Sequence, residues 1–440
     1  MAVQVPYAIK PLKSDRATLH KNDFLMGLLD RAKISGNEPQ WLKDVRQQAA
    51  SWVANSSVPT KKDEDWRFID LSDLTKTNFT TVGANGGSPL PQLPTETENC
   101  RLIFVNGVYN ADLSDTSALP DGVYVGSLQN IPETYPVAEH FARQHGAQDV
   151  FTALNTAGFA NAAVIWANKN VIVDTPIHLV FISTAEETAS FSQLRTLVVA
   201  EAGASLSLIE EYSGTGEYFI NAVTEIVVRD NAEVKHTRWQ QESDRAFHVG
   251  KTAVAQAKDS RYTLNEINFG SKLYRHNPEV LQQGEQTTTN LNGLTVATGE
   301  QTSDTHSTIA LTKPYGTTDQ LHKCIVGDRA HTVFNGKVFV PKTAQLTDAS
   351  QLNRNLLLSD KARVDTKPEL QITADNVKCS HGATVSQLEA DEIFYLRSRG
   401  LNQQDASQLL IDAFAGEIGD RLPLNLAAKV AQTIKQKISK

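Results

Sequence analysis

One phrase recurs through the middle of the chain: two apolar residues, a spacer, an acid at a turn, a small residue, and an apolar return. It reads VVAEAGASL at 198–206, VVRDNAEV at 227–234, IVGDRAHTV at 325–333 and LLSDKARV at 357–364. Glu201, Asp230 and Asp259 lie 29 residues apart; after a longer insertion Gly299 and Asp328 are again 29 apart, and Asp360 follows 32 later. A turn that returns at so regular an interval predicts one coil per period, each coil burying its Val, Ile and Leu against the coils above and below. An antiparallel sandwich with evenly spaced turns is the alternative that this pattern leaves open. Short β-rich runs fit either reading: 102–105, 172–173, 179–182, 197–199, 226–228 and 338–340, with a hairpin signal at Asn106-Gly107.

Helical spacing brackets this β-rich region. Leu25, Leu28, Leu29 and Ala32 form one stripe, and Leu42, Val45, Ala49, Trp52 and Val53 another, with Pro39 suited to the first turn of the second helix. Residues 83–94, GANGGSPLPQLP, combine glycines with prolines that cannot continue a helix, which predicts a linker there. From Glu389 onward the period is helical again. Ala406, Leu409, Leu410, Ala413 and Phe414 form a stripe introduced by Asn402 as N-cap, and Ala427, Val430, Ala431, Ile434 and Ile438 form the last one. The expected organisation is a helical domain and linker over 1–97, a β core over 98–385, and a helical subdomain over 386–440.

Composition excludes several classes of function. A formal charge of −8 over 440 residues, with no long Lys/Arg run, offers no clustered basic face for phosphates, so nucleic acid is not an expected partner. Cys100, Cys324 and Cys379 are the only cysteines, which suits a reducing compartment better than a disulfide framework. No run of eighteen apolar residues is present, so no membrane association is expected, and the N-terminus has neither signal-peptide nor transit-peptide character. The expected location is the bacterial cytoplasm, with a plastid stroma left open. Phosphate-loop, dinucleotide, nucleophile-elbow and zinc-helix motifs are all missing.

Chemistry-bearing residues concentrate near the C-terminus, in KCSHGATVSQLEADEIFYLRSRG at 378–400. Cys379 and His381 are two apart, and on a strand that spacing puts both on one face. Thiolate and imidazole suit iron or zinc, but two ligands leave a coordination shell incomplete, so other donors are needed. A buried cysteine beside a hydrogen-bonded core histidine is the plainer reading. For His322 and Cys324, with the same spacing, the core reading is preferred, because Cys324 begins an apolar run. His306 reads as a solvated residue of a coil. Trp66, after the acidic Asp63-Glu64-Asp65, reads as an anchor that packs a helical segment onto the next domain. The helix expected over 389–399 has Glu389, Asp391 and Glu392 in its first turn, Arg397 and Arg399 in its last, and Gly400 closing it, which complements the helix dipole. Phe394-Tyr395-Leu396 puts apolar residues on more than one side of it.

The same stretch, with LNRNLLLSDKARVDTKPELQITADNV before it, resembles the SufB/SufD family of iron–sulfur cluster assembly scaffolds, and so do EDWRFIDL at 64–71, LIFVNGVY at 102–109 and QLHKCIVGDRAHTVFNGKVFV at 320–340. Ser-His-Gly-Ala at 380–383, where SufB usually has Glu-His-Glu-Ala, and Leu396, where SufB usually has Cys, place the resemblance with SufD. The resemblance implies a right-handed parallel β-helix core between helical ends and a non-catalytic subunit. Its partners would be a SufB-like paralogue and a SufC-like ATPase, and a homodimer of the isolated chain stays open. It implies that His381, with Cys379 beside it, lies at a transient iron or cluster site shared with the paralogue, with no permanent cofactor in the isolated chain. It further implies that Tyr395, Arg397, Arg399 and Gly400 edge the ATPase contact. Two rivals remain: the SufB role itself, and a β-helix enzyme acting on polysaccharide, whose carboxylates would be the turn acids Asp230, Asp259, Asp328 and Asp360.

Overall fold

The structure, a computed structural model, describes residues 23–32, 38–83, 97–143, 149–422 and 426–438. Nearly all of the stretch expected as a linker, from residue 84 on, lies outside the described residues, as does the N-terminus through residue 22. Helices α1 (Asp23–Arg31) and α2 (Gln40–Ala54) come first, followed by a 3-10 turn at Glu64–Trp66 and the short α3 (Ser72–Lys76). Pro39 sits at the N-cap of α2, one residue ahead of its first turn. The hairpin β1 (Arg101–Val105) and β2 (Val108–Asp115) turns through Asn106 and Gly107, both at positive φ, 52° and 80°. After β3 (Val123–Ser127), α4 (Val150–Gly158) and β4 (Ala162–Ala167), the chain winds into a solenoid.

Strands alternate between two parallel sheets. One holds β5 (Ile177–Thr184), β7 (Ser205–Thr215), β9 (Glu233–Gln241), β11 (Arg261–Asn268), β13 (Thr288–Ala297), β15 (Thr317–Val326), β17 (Asp348–Leu357) and β19 (Lys378–Gln387). The other holds β6 (Ser190–Ala200), β8 (Tyr218–Val228), β10 (Phe247–Gln256), β12 (Leu273–Gln282), β14 (Thr302–Leu311), β16 (His331–Val340) and β18 (Arg363–Ile372). This is a parallel β-solenoid of about eight turns, as the turn period predicts. Of the predicted runs, 172–173 is an exception: Ile172 makes an isolated bridge to Ser205 and is exposed.

The repeating turns mark two edges, which corrects the single series read from spacing. Gly203, Asn231 and Asp259 lie where the chain passes from an even to an odd strand, and Gln286, Tyr315 and Leu346 continue that edge. Each has positive φ, and each N–H there donates to a carbonyl one coil later, from Gly203 to Asp230 O (2.9 Å) through to Leu346 to Asn376 O (2.7 Å). Gly299, Asp328 and Asp360 belong to the opposite edge, where odd strands lead into even ones. The longer interval between Asp259 and Gly299 is therefore no insertion: it spans one coil and a half. Both edges need a tight corner, and Asp, Asn and Gly serve that geometry equally well.

Both sheets are covered on their outer faces. Leu25, Leu28, Val53 and Trp66 of the N-terminal segment pack on Phe191, Phe219, Phe247 and Leu273 of the even sheet. Ile411, Ala415 and Ile418 of α6 (Gln403–Gly419) and Val430 and Ile434 of α7 (Leu426–Ile438) pack on Trp239, Ile267, Leu294 and Ile325 of the odd sheet. Hence β8 and β10 are buried at every position, as sheets covered on both faces require. Trp66 is the anchor that its sequence context suggests: its ring packs at a tilt against Phe151 and takes the Arg275 guanidinium 3.9 Å from its centroid. The α6 stripe differs from the predicted one, since Leu409 and Ala413 face solvent while Ile411, Ala415 and Ile418 are buried. In α7, Ala431 is exposed and Thr433 is buried. His306 is buried beneath the Asp65 segment rather than solvated, and burial, then Arg275 and Lys337, hold it neutral.

Candidate functional site

The two ends of the solenoid differ. At one end the sheets run out in two antiparallel pairs, β1 with β2 and β3 with β4. At the other, the parallel stacking stops at β18 and β19, which, like β2 and β3, have a strand partner on one side only. Residues of β19 are mostly exposed, in contrast to the buried β8 and β10. An edge with free N–H and C=O groups is a template for another chain.

Strand β19 puts both candidate ligands on this edge. Its register pairs Ala349 with Cys379 and Gln351 with His381. Ala349 and Gln351 face the solenoid interior, while their neighbours Leu352 and Leu356 face the C-terminal helices, so Cys379 and His381 share the inward line of the last coil. Cys379 is half-buried against the main core, whereas His381 is exposed because no further coil covers it. Burial, then the Asp348 carboxylate, pushes the Cys379 thiol up, and the Ala349 backbone opposes them. The thiol must therefore lose a proton before it can bind metal. No group of three or more His, Cys, Asp or Glu poised for a metal occurs among the described residues. What this chain offers is two donors at an open edge.

The second pair is built differently. His322 and Cys324 lie inside β15, where Thr295 Oγ1 is 3.2 Å from His322 Nε2 and burial raises the Cys324 thiol to about 12. Such a thiol is a packing group, in keeping with the core reading. Sequence reasoning missed a larger feature, a buried polar network in the solenoid interior. Glu210 accepts from Arg238 (2.8 Å), Thr224 (2.7 Å) and His236 (3.1 Å), and Glu242 lies 2.8 Å from His248 Nδ1. Burial pushes Glu210 up, but His236 and Arg238 reverse that and hold its carboxyl below the ordinary range. These groups hydrogen-bond one another in a sealed interior. Their signal was charged residues at core-facing strand positions, such as Glu210 in SLSLIEEY and Arg238 in VKHTRW.

At the surface, α5 (Ala390–Ser398) follows β19 and buries none of its residues. Phe394 and Tyr395 are 72% and 58% exposed, Arg399 lies over the Tyr395 ring at 5.3 Å, and Arg397 reaches Gln403. Gly400 ends the helix at φ 99°, with Arg397 and Arg399 exposed beside it. The turn acids required by a polysaccharide-cleaving site do not meet, since Asp230 and Asp259 line one edge and Asp328 and Asp360 the other.

Comparison with known proteins places this architecture. The description "SUF system FeS cluster assembly, SufBD core domain" matches residues 181–414, and "SufBD protein N-terminal region" matches 28–179. The chain belongs to the SufBD family. An iron–sulfur cluster assembly SufBD family protein of Synechocystis is 47% identical over 93% of this chain and 94% of its own length. The chloroplastic protein ABCI7 of Arabidopsis thaliana is 36% identical over 90% of this chain and 86% of its own. The iron–sulfur cluster assembly protein SufD of Escherichia coli is 32% identical over 86% and 88% respectively. With SufD among these relatives, this member of the SufBD family is of the SufD type and a scaffold subunit of the SUF system. Among its described residues, no helix is long and apolar enough to cross a membrane.

Proposed function

We propose that this SufD-type chain is a non-catalytic subunit whose open terminal coil docks on a SufB-type paralogue, and that His381 helps to hold iron or a nascent cluster at the junction. The observation that supports the reading is the singly paired, exposed β19 with Cys379 and His381 on its inward line. Iron and sulfide are cargo here, and two donors fill half of a tetrahedral shell, so the docked chain supplies the rest. His381 binds as a neutral imidazole, and Cys379 contributes once it has lost its proton.

The exposed face of α5, edged by Tyr395, Arg397, Arg399 and Gly400, is the proposed contact for a SufC-type ATPase. Dimerisation of that ATPase, driven by ATP, would pull on both scaffold subunits and open the junction, a rearrangement of packed interfaces. The setting is a bacterial cytoplasm or a plastid stroma. The test is reconstitution with SufB-type and SufC-type partners, followed by a cluster-assembly assay. His381→Ala lowers the rate at least tenfold while the three chains still co-elute, and Cys379→Ala has the smaller effect. Assembly at the wild-type rate by His381→Ala complexes would refute the role given to His381.

A further inference from the structure

Parallel register stacks Gln320, Gln351 and His381 in one inward column on β15, β17 and β19. Gln320 Nε2 donates to Ser307 Oγ at 2.7 Å, and Gln351 Nε2 donates to Gln320 Oε1 at 2.8 Å. Gln320 thus gives its N–H to the facing sheet and its carbonyl to the next coil, and Gln351 gives its N–H to the preceding coil. Gln351 is 2% exposed, and its Oε1 is buried without a donor. Such an orphaned acceptor is costly, and the next position in the ladder is an imidazole. No side-chain hydrogen bond joins His381 to any described residue, so its ring nitrogens are uncommitted. The facing sheet makes room for the amide, since a Cβ on Gly336 would lie 2.2 Å from Gln351 Nε2.

We infer that Gln351 is the positioning residue of His381. The pair is unbonded in this structure; a rotamer change of the exposed His381 ring brings one imidazole N–H to Oε1, which selects a single tautomer and leaves the other nitrogen with a lone pair for iron at the open edge. Histidines that bind metals are held in this way, by a carbonyl or carboxylate behind the ring. Adjacent strands are about 4.8 Å apart, within the reach of two inward side chains. The iron half of the inference rests on the proposed function, whereas the hydrogen bond does not.

The test is a long-range ¹⁵N–¹H correlation spectrum of the histidine rings in the full-length chain at alkaline pH, with His381 assigned by the loss of its signals in His381→Ala. One tautomer predominates in the native chain. Gln351→Met, which keeps length and loses the acceptor, moves the tautomer ratio about fivefold, the factor that one net hydrogen bond sets. Gln351→Glu keeps the native tautomer and shifts the bonded ring proton downfield, a decision independent of whether the Met variant folds. An unchanged ratio in folded Gln351→Met, or an unmoved ring proton in Gln351→Glu, overturns the inference; a water on Oε1 would give that result. If the tautomer responds while His381→Ala complexes assemble clusters normally, positioning stands and the cluster role of His381 falls. If it does not respond while His381→Ala abolishes assembly, Gln351 falls and the cluster role stands.

Discussion

A histidine on the outermost coil and a histidine in the sealed interior obey different rules. His381 is exposed, yet its removal forfeits the bond inferred to Gln351 Oε1, so His381→Ala lowers the stability of the isolated chain by about 1 kcal/mol, measurable by urea unfolding. His276 is buried, with Nδ1 3.1 Å from Glu266 Oε2 and Nε2 2.9 Å from Thr252 Oγ1. Burial, only partly offset by Glu266, lowers it from 6.5 to about 4. Between those values the unfolded chain binds a proton that the fold refuses. The contribution is complete above pH 6.5 and lost as pH falls to 4, at about 3 kcal/mol. Urea unfolding at pH 7.5, 6 and 5 should show this loss, and His276→Gln should flatten it. Gly336→Ala forces its methyl onto the Gln351 amide and costs about 1–3 kcal/mol in the same assay. At this scale the sequence was legible where chemistry is unusual, as at Cys379 and His381. It was silent on Gln351, because a glutamine shows its role only once coils 30 and 31 residues apart are stacked.

Elements divide by what they cover. The Trp66 turn is held by the Phe151 ring and Arg275, and Lys337 bonds Asp65 at 2.8 Å. The aromatic packing dominates, because such partly exposed ion pairs contribute little. Trp66→Ala is expected to lower stability by about 3–5 kcal/mol, whereas Asp65→Asn costs less than about 1 kcal/mol, both by urea unfolding. Helix α5 is the opposite case, since it buries nothing. Phe394→Ser and Tyr395→Ser should leave the unfolding midpoint unchanged and weaken capture of the SufC-type ATPase at least tenfold, as calorimetry of the purified pair would read. Helix ends were legible from local signals: Asn402 caps α6 by accepting from Asp405 N at 2.9 Å, as its position suggests. The apolar stripe of α6 was not, because Leu409 and Leu410 are equally apolar and only the curved sheet beneath decides which residues it buries.

The whole molecule is a solenoid that ends in antiparallel pairs at one end and in parallel edge strands at the other. Its coil was legible because Gly203, Asn231 and Asp259 mark successive corners, although Gln286, Tyr315 and Leu346 continue the same edge without that signal. The two edges were not separated, because one turn chemistry serves both and merges them into one series. β19, KCSHGATVSQ, is far more polar than the buried β8, YFINAVTEIVV, but the largely buried β15, TTDQLHKCIV, is polar too, so polarity alone does not place the end. The account stands or falls on what covers that end. Hydrogen–deuterium exchange should be followed in the chain alone and after addition of the SufB-type paralogue and SufC-type ATPase. Backbone amides of β18 and β19 are predicted to slow by at least tenfold in the complex, with those of β8 and β10 unchanged. A stable complex in which β19 exchanges as fast as in the free chain would contradict the docking of the terminal coil.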